Sequence, residues 1–188
     1  MIAQSQSGTG KTAAFLLTAL YRVNPAVQEP QVIILSPTYE LSLQTGQVAQ
    51  AMAKYRPEIK IRWVIRGEKL GPNAKITEHI LIGTPGKMID WGLKYRLFDV
   101  SKITVFVLDE ADVMIDLQGM RAQSLKLKQY MPETAQMLLF SATYTDQVME
   151  FARKIIPEPV IILRLRLEEL TLDNINQYYI EVGSEQGR

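Results

Sequence analysis

A glycine-rich turn followed by lysine and threonine stands near the start of the chain, at residues 5–12 (SQSGTGKT). Glycines let successive backbone N–H groups point at phosphate oxygens, and the positive end of a following helix adds to the attraction. The spacing predicts a phosphate-binding loop in which Lys11 contacts the β- and γ-phosphates and Thr12 is a Mg²⁺ ligand. The predicted nucleotide-binding residues are Ser7, Gly8, Thr9, Gly10, Lys11 and Thr12. The alternative is a glycine-rich turn that only begins a helix.

Adjacent carboxylates close the apolar run at residues 105–108, where Asp109 and Glu110 are followed by Ala111 and Asp112. A carboxylate at a strand end, opposite a phosphate loop, is where nucleotide enzymes hold Mg²⁺. We therefore expect Asp109 to bind the metal together with Thr12, and Glu110 to act as general base on the attacking water. The alternative is an acidic helix N-terminus, which the helix dipole favours. The accompanying phosphate loop makes the catalytic interpretation the stronger one.

Short apolar runs alternate with helix-period stretches along the whole chain. The predicted strands are residues 31–35, 61–65, 79–82, 103–108, 136–140 and 160–163, and the predicted helices are 11–21, 39–54, 87–94, 121–130 and 146–155. Continuously apolar strands suit a parallel sheet that is buried on both faces. The pattern predicts an α/β domain with a mostly parallel central sheet, helices on both faces and ligands at the carboxyl ends of the strands. Trp63 and Trp91 are expected to pack in the core.

Composition narrows the class of protein. The 188 residues suffice for one well-cored domain, and 47% apolar with 22% charged residues is typical of a globular protein. The net charge of +1 means that any nucleic-acid binding depends on a local surface. The lack of cysteine excludes disulfides and thiolate metal sites, and a single histidine, His79, argues against a histidine-built zinc site. No membrane span is predicted, because no apolar run reaches about 18–20 residues.

The acidic tetrad reads DEAD, and several further motifs follow in a fixed order. Residues 37–41 (PTYEL) look like PTREL, Arg66-Gly67 stands where a glycine pair is usual, residues 84–87 (TPGK) look like TPGR, and residues 141–143 read SAT. Over essentially all 188 residues the chain resembles the DEAD-box ATP-dependent RNA helicases. The resemblance implies an N-terminal RecA-like P-loop domain that binds ATP and Mg²⁺. The runs QSQSGTGKT and DEADVMI resemble the subtype that remodels mRNA–protein particles at the nuclear pore.

In that family the PTREL, glycine-pair and TPGR motifs grip the RNA backbone without reading its sequence. The matching residues here are Pro37, Thr38, Arg66, Gly67, Thr84, Pro85, Gly86 and Lys87. Hydroxyls, backbone N–H groups and a lysine suit phosphate contacts, although the same residues also form ordinary strand-to-helix turns. Two positions depart from the pattern: Tyr39 replaces an arginine and Arg66 replaces a glycine.

The SAT motif couples ATP hydrolysis to strand separation in the family. Carried over, this implies that Ser141 and Thr143 form hydrogen bonds with Asp112 and neighbouring backbone. The same residues could also cap the helix that follows, and the two roles are compatible.

The resemblance also predicts how the chain is organised. Residues 1–167 would form the RecA-like domain, with its first strand and the adenine-recognising Q motif truncated, and residues 168–188 would be a linker into a second helicase domain. Because that domain supplies arginines to the γ-phosphate site, the isolated domain should be nearly inactive.

The expected partners are RNA, the second helicase domain and mRNA-export regulators, for a monomer in the nucleus and cytoplasm, including the nuclear pore. A non-catalytic docking module for RNA or regulators is the main alternative. Another class of P-loop protein is a third reading, which the motif order argues against.

Overall fold

The central element of the fold is a parallel sheet. The computed structural model describes residues 1–4, 10–68, 70, 74–117, 119–164 and 178. Within this part of the chain the strands are Ile2–Gln4 (β1), Val32–Leu35 (β2), Ile61–Val64 (β3), Ile80–Gly83 (β4), Val105–Leu108 (β5), Gln136–Ser141 (β6) and Ile162–Leu163 (β7). They form one sheet in the order β3-β4-β2-β5-β6-β1-β7, and each of these described pairs is parallel. The predicted parallel sheet is confirmed.

Helices connect the strands and cover the sheet. They are Lys11–Arg22 (α1), Tyr39–Met52 (α2), Pro85–Ile89 (α3), Ala111–Asp116 (α4), Met120–Gln129 (α5) and Asp146–Ile155 (α6). A π-helical turn, Asp90–Lys94, continues α3, which begins earlier than predicted because proline suits the first helical position. The sequence prediction missed α4, since its six residues are too short to show a helical period. The bounds of the other predicted elements agree with the structure to within two residues.

Alternate residues of each central strand face opposite sides of the sheet. Ile33 of β2 lies in a core cluster with side chains of α3, α4, α5 and α6, whereas Ile34 lies in a second cluster with side chains of α1 and α2. Large buried apolar side chains each contribute about 1.5–3 kcal/mol. The two clusters confirm the predicted helices on both faces and make the sheet a rigid base for the site.

Both tryptophans pack against the domain. Trp91 is buried, and half-buried Trp63 lies under α2, where its Nε1 donates a hydrogen bond to the Leu43 carbonyl at 3.4 Å. This approach depends on Gly46, because an added Cβ there would overlap the Trp63 ring.

The predicted domain boundary after residue 167 lies outside the described residues. Among the residues that the structure describes, none of the helices has the length and apolar character needed to cross a membrane.

Candidate nucleotide and RNA site

The predicted site residues follow strands that end at one edge of the sheet. Because the strands are parallel, their carboxyl ends share that edge, which is where open α/β sheets bind ligands. Asp109 follows β5, Ser141 closes β6, and the phosphate loop follows β1, so the nucleotide residues lie on one half of the edge. The predicted RNA residues follow the neighbouring strands β2, β4 and β3 and lie on the other half.

The described part of the phosphate loop begins at Gly10; Ser7, Gly8 and Thr9 lie outside the described residues. Gly10 has φ 94°, a left-handed conformation that favours glycine, and it immediately precedes α1. Lys11, the first residue of α1, is buried and forms an ion pair with Glu110. Thr12 is half-buried next to it. The helix start therefore holds the lysine against the acidic tetrad.

Asp109 is a fully buried carboxylate at the end of β5. Its Oδ1 accepts a hydrogen bond from the Glu110 backbone N–H at 3.1 Å, but its Oδ2 has no hydrogen-bond partner among the described residues. Burial raises the pKa of Asp109 to about 6, although the nearby charge of Lys11 opposes the rise. A buried carboxylate oxygen without a partner is a group that a bound cation would stabilise, so the residue fits a metal ligand.

Glu110 lies at the turn between β5 and α4. Its backbone has φ 52°, which is unusual for a residue with a side chain and is a form of strain found at functional sites. The side chain is about one-fifth exposed, with 21% of its surface accessible, and its carboxylate forms the ion pair with Lys11. The turn thus holds a partly exposed carboxylate beside the buried Asp109.

Asp112 joins α4 to the turn after β6. Its Oδ2 accepts hydrogen bonds from the Thr143 backbone N–H at 3.0 Å and from the Thr143 hydroxyl at 2.9 Å. The Ser141 hydroxyl donates to the Thr143 carbonyl at 2.8 Å. The SAT residues do not cap the next helix, because Thr145 caps α6 by accepting from the Val148 N–H at 3.3 Å.

Two threonines stand at strand-to-helix turns on the predicted RNA half of the edge. Thr38 caps α2 by accepting a hydrogen bond from the Leu41 N–H at 3.1 Å, which leaves its own O–H able to donate. Thr84 makes no capping hydrogen bond and precedes Pro85, which is buried, as is Pro37. The prolines therefore shape the turns, while the threonines supply polar groups.

The remaining predicted RNA residues add backbone and charge. Arg66 is exposed, and Gly67 has φ 96° with open space where a Cβ would lie. Gly86 and Lys87 are half-buried in α3, and the Lys87 ammonium lies over the Trp91 ring, 5.6 Å from its centroid. Tyr39, which replaces the motif's arginine, is the first residue of α2 and is 43% exposed.

Sequence reasoning missed two glutamines at this edge. The Gln4 amide donates to the Ala142 carbonyl at 3.2 Å, which ties β1 to the SAT turn. Gln123 of α5 lies against Gly86, where a Cβ would be 3.4 Å from its Oε1. Neither glutamine stands in a local motif, because each contact depends on the tertiary fold.

Comparisons with known proteins identify the family to which the chain is similar. Residues 1–151 match the family described as DEAD/DEAH box helicase. The chain is 57% identical over 188 residues to the DEAD-box helicase Dbp80 of Drosophila melanogaster, covering all of this chain and 41% of that protein. It is 55% identical over 184 residues to the human ATP-dependent RNA helicase DDX19A, covering 98% of this chain and 38% of that protein. The chain thus spans about two-fifths of the length of these relatives.

Solved structures agree with the sequence relatives. Saccharomyces cerevisiae Dbp5 bound to RNA and ADP BeF3 superposes with a TM-score of 0.86 at 44% identity, covering 94% of this chain and 44% of that one. A Dbp5 variant bound to Nup159, Gle1, IP6 and ADP gives a TM-score of 0.81 at 43% identity, covering 89% of this chain and 44% of that one.

Proposed function

Because this chain belongs to the DEAD/DEAH box helicase family, we propose that it is the ATP- and Mg²⁺-binding first domain of an RNA-dependent ATPase. The enzyme would remodel RNA or RNA–protein complexes and hold the RNA backbone without sequence specificity. The observation that carries the proposal is the paired arrangement of Lys11 and Glu110 beside the buried Asp109. On the same sheet edge stand the two threonine turns and Lys87.

The chain's own groups suit a nucleotide with its metal. Lys11 would bind the β- and γ-phosphates, while Thr12 and Asp109 would hold Mg²⁺, Asp109 directly or through water. When bound, the metal would neutralise phosphate charge. Among the described residues no cluster of three or more histidine, cysteine or acidic side chains could hold a metal alone. This agrees with Mg²⁺ that takes most of its ligands from phosphates and water.

Glu110 is the proposed base for hydrolysis. It would accept a proton from water as the water oxygen bonds to the γ-phosphorus and the bond to the β-phosphate oxygen breaks, releasing ADP. Lys11 would stabilise negative charge on the transferring phosphoryl group. Since Lys11 is paired with Glu110, phosphate binding to the lysine would also free the carboxylate for water.

The short helix α4 connects the proposed base, Glu110, with the SAT turn. Glu110 precedes it and Asp112 lies in its first turn, so a shift of α4 moves both carboxylates together. Asp112 in turn holds Thr143 through two hydrogen bonds. We therefore expect that nucleotide binding or hydrolysis shifts α4, and that this shift moves the SAT turn through Asp112 and Thr143.

RNA would bind on the other half of the edge. The hydroxyls of Thr38 and Thr84, the backbone at Gly67 and Gly86, and the charges of Lys87 and Arg66 suit phosphate oxygens, which carry no base information. Pro37 and Pro85 would support these turns. Dbp5 has been solved with RNA and, in another complex, with Nup159 and Gle1. By this likeness we propose mRNA-export regulators as partners of a monomeric protein that acts in the nucleus, the cytoplasm and at the nuclear pore.

The proposal is tested by titrating mant-ADP into the chain with and without Mg²⁺. We expect saturable binding that Mg²⁺ strengthens and that Lys11→Ala abolishes. Lys54→Ala removes an exposed lysine outside the site and should leave the affinity unchanged. If the wild-type chain unfolds cooperatively on heating but binds no nucleotide, the enzymatic proposal fails for this chain and the docking-module alternative replaces it.

A further inference from the structure

A cavity of about 750 Å³ opens at the amino-terminal edge of the sheet. Its lining includes Pro30, Thr77 and Ser101, which come shortly before β2, β4 and β5. Because the strands are parallel, this amino-edge cavity lies at the opposite end of the sheet from Lys11 and Asp109. Its size falls within the range of roughly 300–1,000 Å³ that is usual for ligand pockets. Neither the nucleotide residues nor the RNA residues contribute to it.

The floor of the amino-edge cavity is apolar and tightly packed. Ile76, Phe98 and Val100 line it and are themselves buried members of the core. Gly92 lies against this floor, where a Cβ would come within 2.9 Å of both Phe98 and Val100. Binding to a preformed apolar floor of this kind is favourable, because a ligand's apolar group displaces water from it.

The charged groups at the mouth of the cavity are not balanced. The Glu29 carboxylate lies 3.7 Å from the Lys102 ammonium. Asp99 accepts hydrogen bonds from the Ser101 backbone N–H at 2.9 Å and from its hydroxyl at 2.7 Å, which lower its pKa. Lys102 thus offsets the charge of Glu29, whereas Asp99 keeps its negative charge.

Two cationic side chains at the mouth have no such partner. Lys75 and Arg96 are exposed, and no carboxylate of the described residues lies within 4.0 Å of either. Lys75 and Arg96 outnumber Asp99 as unpaired charges, so the mouth has an excess of one positive charge above an apolar floor. This favours a ligand that carries negative groups around an apolar one.

Arg96 also holds an unusual backbone conformation. Its φ of 52° lies in the left-handed region, where glycine would be comfortable and an arginine is strained. Close by, Tyr130 lines the cavity with 54% of its surface exposed. Arginine and tyrosine are enriched in the residues that dominate protein–protein binding energy. Arg96 thus places a long cationic side chain at a position where the backbone favours glycine.

We propose that the amino-edge cavity docks a short acidic segment of a partner protein. One large apolar side chain of that segment occupies the floor at Phe98 and Val100, and its flanking carboxylates pair with Lys75 and Arg96. Single-stranded RNA is the other candidate for these two cations, and displacement of the acidic peptides by decauridine would overturn the proposal. Since the cavity and the nucleotide site lie at opposite ends of the sheet, the segment binds together with nucleotide.

The probes are fluorescein-labelled pentapeptides in which leucine or phenylalanine is flanked by two aspartates on each side. Matched peptides carry lysines in place of the aspartates, or glycine in place of the apolar residue. Fluorescence anisotropy should show saturable binding of the acidic apolar peptides and at least tenfold weaker binding of both matched sets. Mant-ADP with Mg²⁺ should not displace them. Arg96→Glu and Lys75→Glu should each weaken binding several-fold, whereas Lys54→Glu should not.

A second variant separates binding from structure. Arg96→Gly relieves the left-handed backbone strain, so it should keep or raise the melting temperature while it weakens the acidic peptides. The proposal is overturned if basic peptides bind as tightly as acidic ones, if Lys54→Glu has the same effect as Arg96→Glu, or if no peptide saturates below about 1 mM. It is also overturned if anilinonaphthalene sulfonate binds the cavity and no peptide competes, which would assign the cavity to small anions.

Discussion

Asp109 destabilises the ligand-free fold at the position where we propose that it binds the metal. Its carboxylate is buried at the end of β5 with one oxygen unpartnered, and burial raises its pKa to about 6. In the unfolded chain the group would titrate near the ordinary value of 3.8. Above pH 6 the folded protein therefore carries a charge that the unfolded chain accommodates more easily. A bound cation would reverse this penalty.

Replacing this charge should stabilise the ligand-free domain. We expect Asp109→Asn to raise the free energy of unfolding by about 2 kcal/mol at pH 7.5, because a raised folded-state pKa destabilises the charged form. The gain should shrink as the pH falls through 6 and vanish below about pH 4, where both states are protonated. Urea unfolding of both proteins across this pH range measures the difference. A variant that is less stable at every pH would contradict the assignment of a buried carboxylate with an unpartnered Oδ2.

Glu110 offers a second test at the level of one side chain. In the ligand-free protein it is paired with Lys11, so nucleotide phosphates have to compete with it for the lysine. Glu110→Gln removes this competition, and mant-ADP affinity should rise about three- to tenfold, corresponding to roughly 1 kcal/mol. Lys11→Ala should abolish binding in the same titration. An affinity that falls with Glu110→Gln would show that the carboxylate supports the nucleotide site and does not compete with it.

At the scale of elements, the contact between α2 and β3 requires glycine at position 46. Gly46 lies within α2, where alanine would normally favour the helix by up to about 1 kcal/mol. Here an added Cβ overlaps the Trp63 ring.

Gly46→Ala should therefore lower the free energy of unfolding by about 1–3 kcal/mol, the usual cost of overpacking. Gln50→Ala, at an exposed position of the same helix, is the matched control and should be neutral. Combining Gly46→Ala with Trp63→Val should recover much of the loss. Additive losses in the double variant, measured by thermal or urea unfolding, would place the cause elsewhere.

The sequence predicted the elements better than the contacts between them. Runs such as residues 105–108 are apolar on both faces, so the parallel sheet could be inferred from the pattern of apolar runs along the sequence. The helix α4 and the left-handed Glu110 could not, because six residues are too few for a period and the strain depends on surrounding structure. The site motifs were visible as patterns, whereas the contact of Gln123 with Gly86 and the pairing of Lys11 with Glu110 depend on long-range packing.

At the scale of the whole molecule, one sheet edge carries two proposed ligand sites. The order β3-β4-β2-β5-β6-β1-β7 places the predicted RNA turns after β3, β4 and β2, and the nucleotide residues after β5, β6 and β1. The neighbouring strands β2 and β5 form the boundary between the two halves. This arrangement lets a rigid sheet hold RNA and nucleotide side by side, with α4 as the described element that connects Glu110 to the SAT turn. The amino-edge cavity lies at the opposite end and would leave both sites open.

The central claim is that the two halves of this edge bind different ligands, and one paired titration tests it most directly. Mant-ADP with Mg²⁺ and a fluorescein-labelled single-stranded decauridine are titrated separately into the wild-type chain, Lys11→Ala and Lys87→Glu. We expect Lys11→Ala to lose nucleotide binding and keep RNA binding, and Lys87→Glu to keep nucleotide binding and lose about tenfold or more in RNA affinity at low salt. Loss of both ligands in either folded variant, or RNA binding that Lys87→Glu does not weaken, would contradict it.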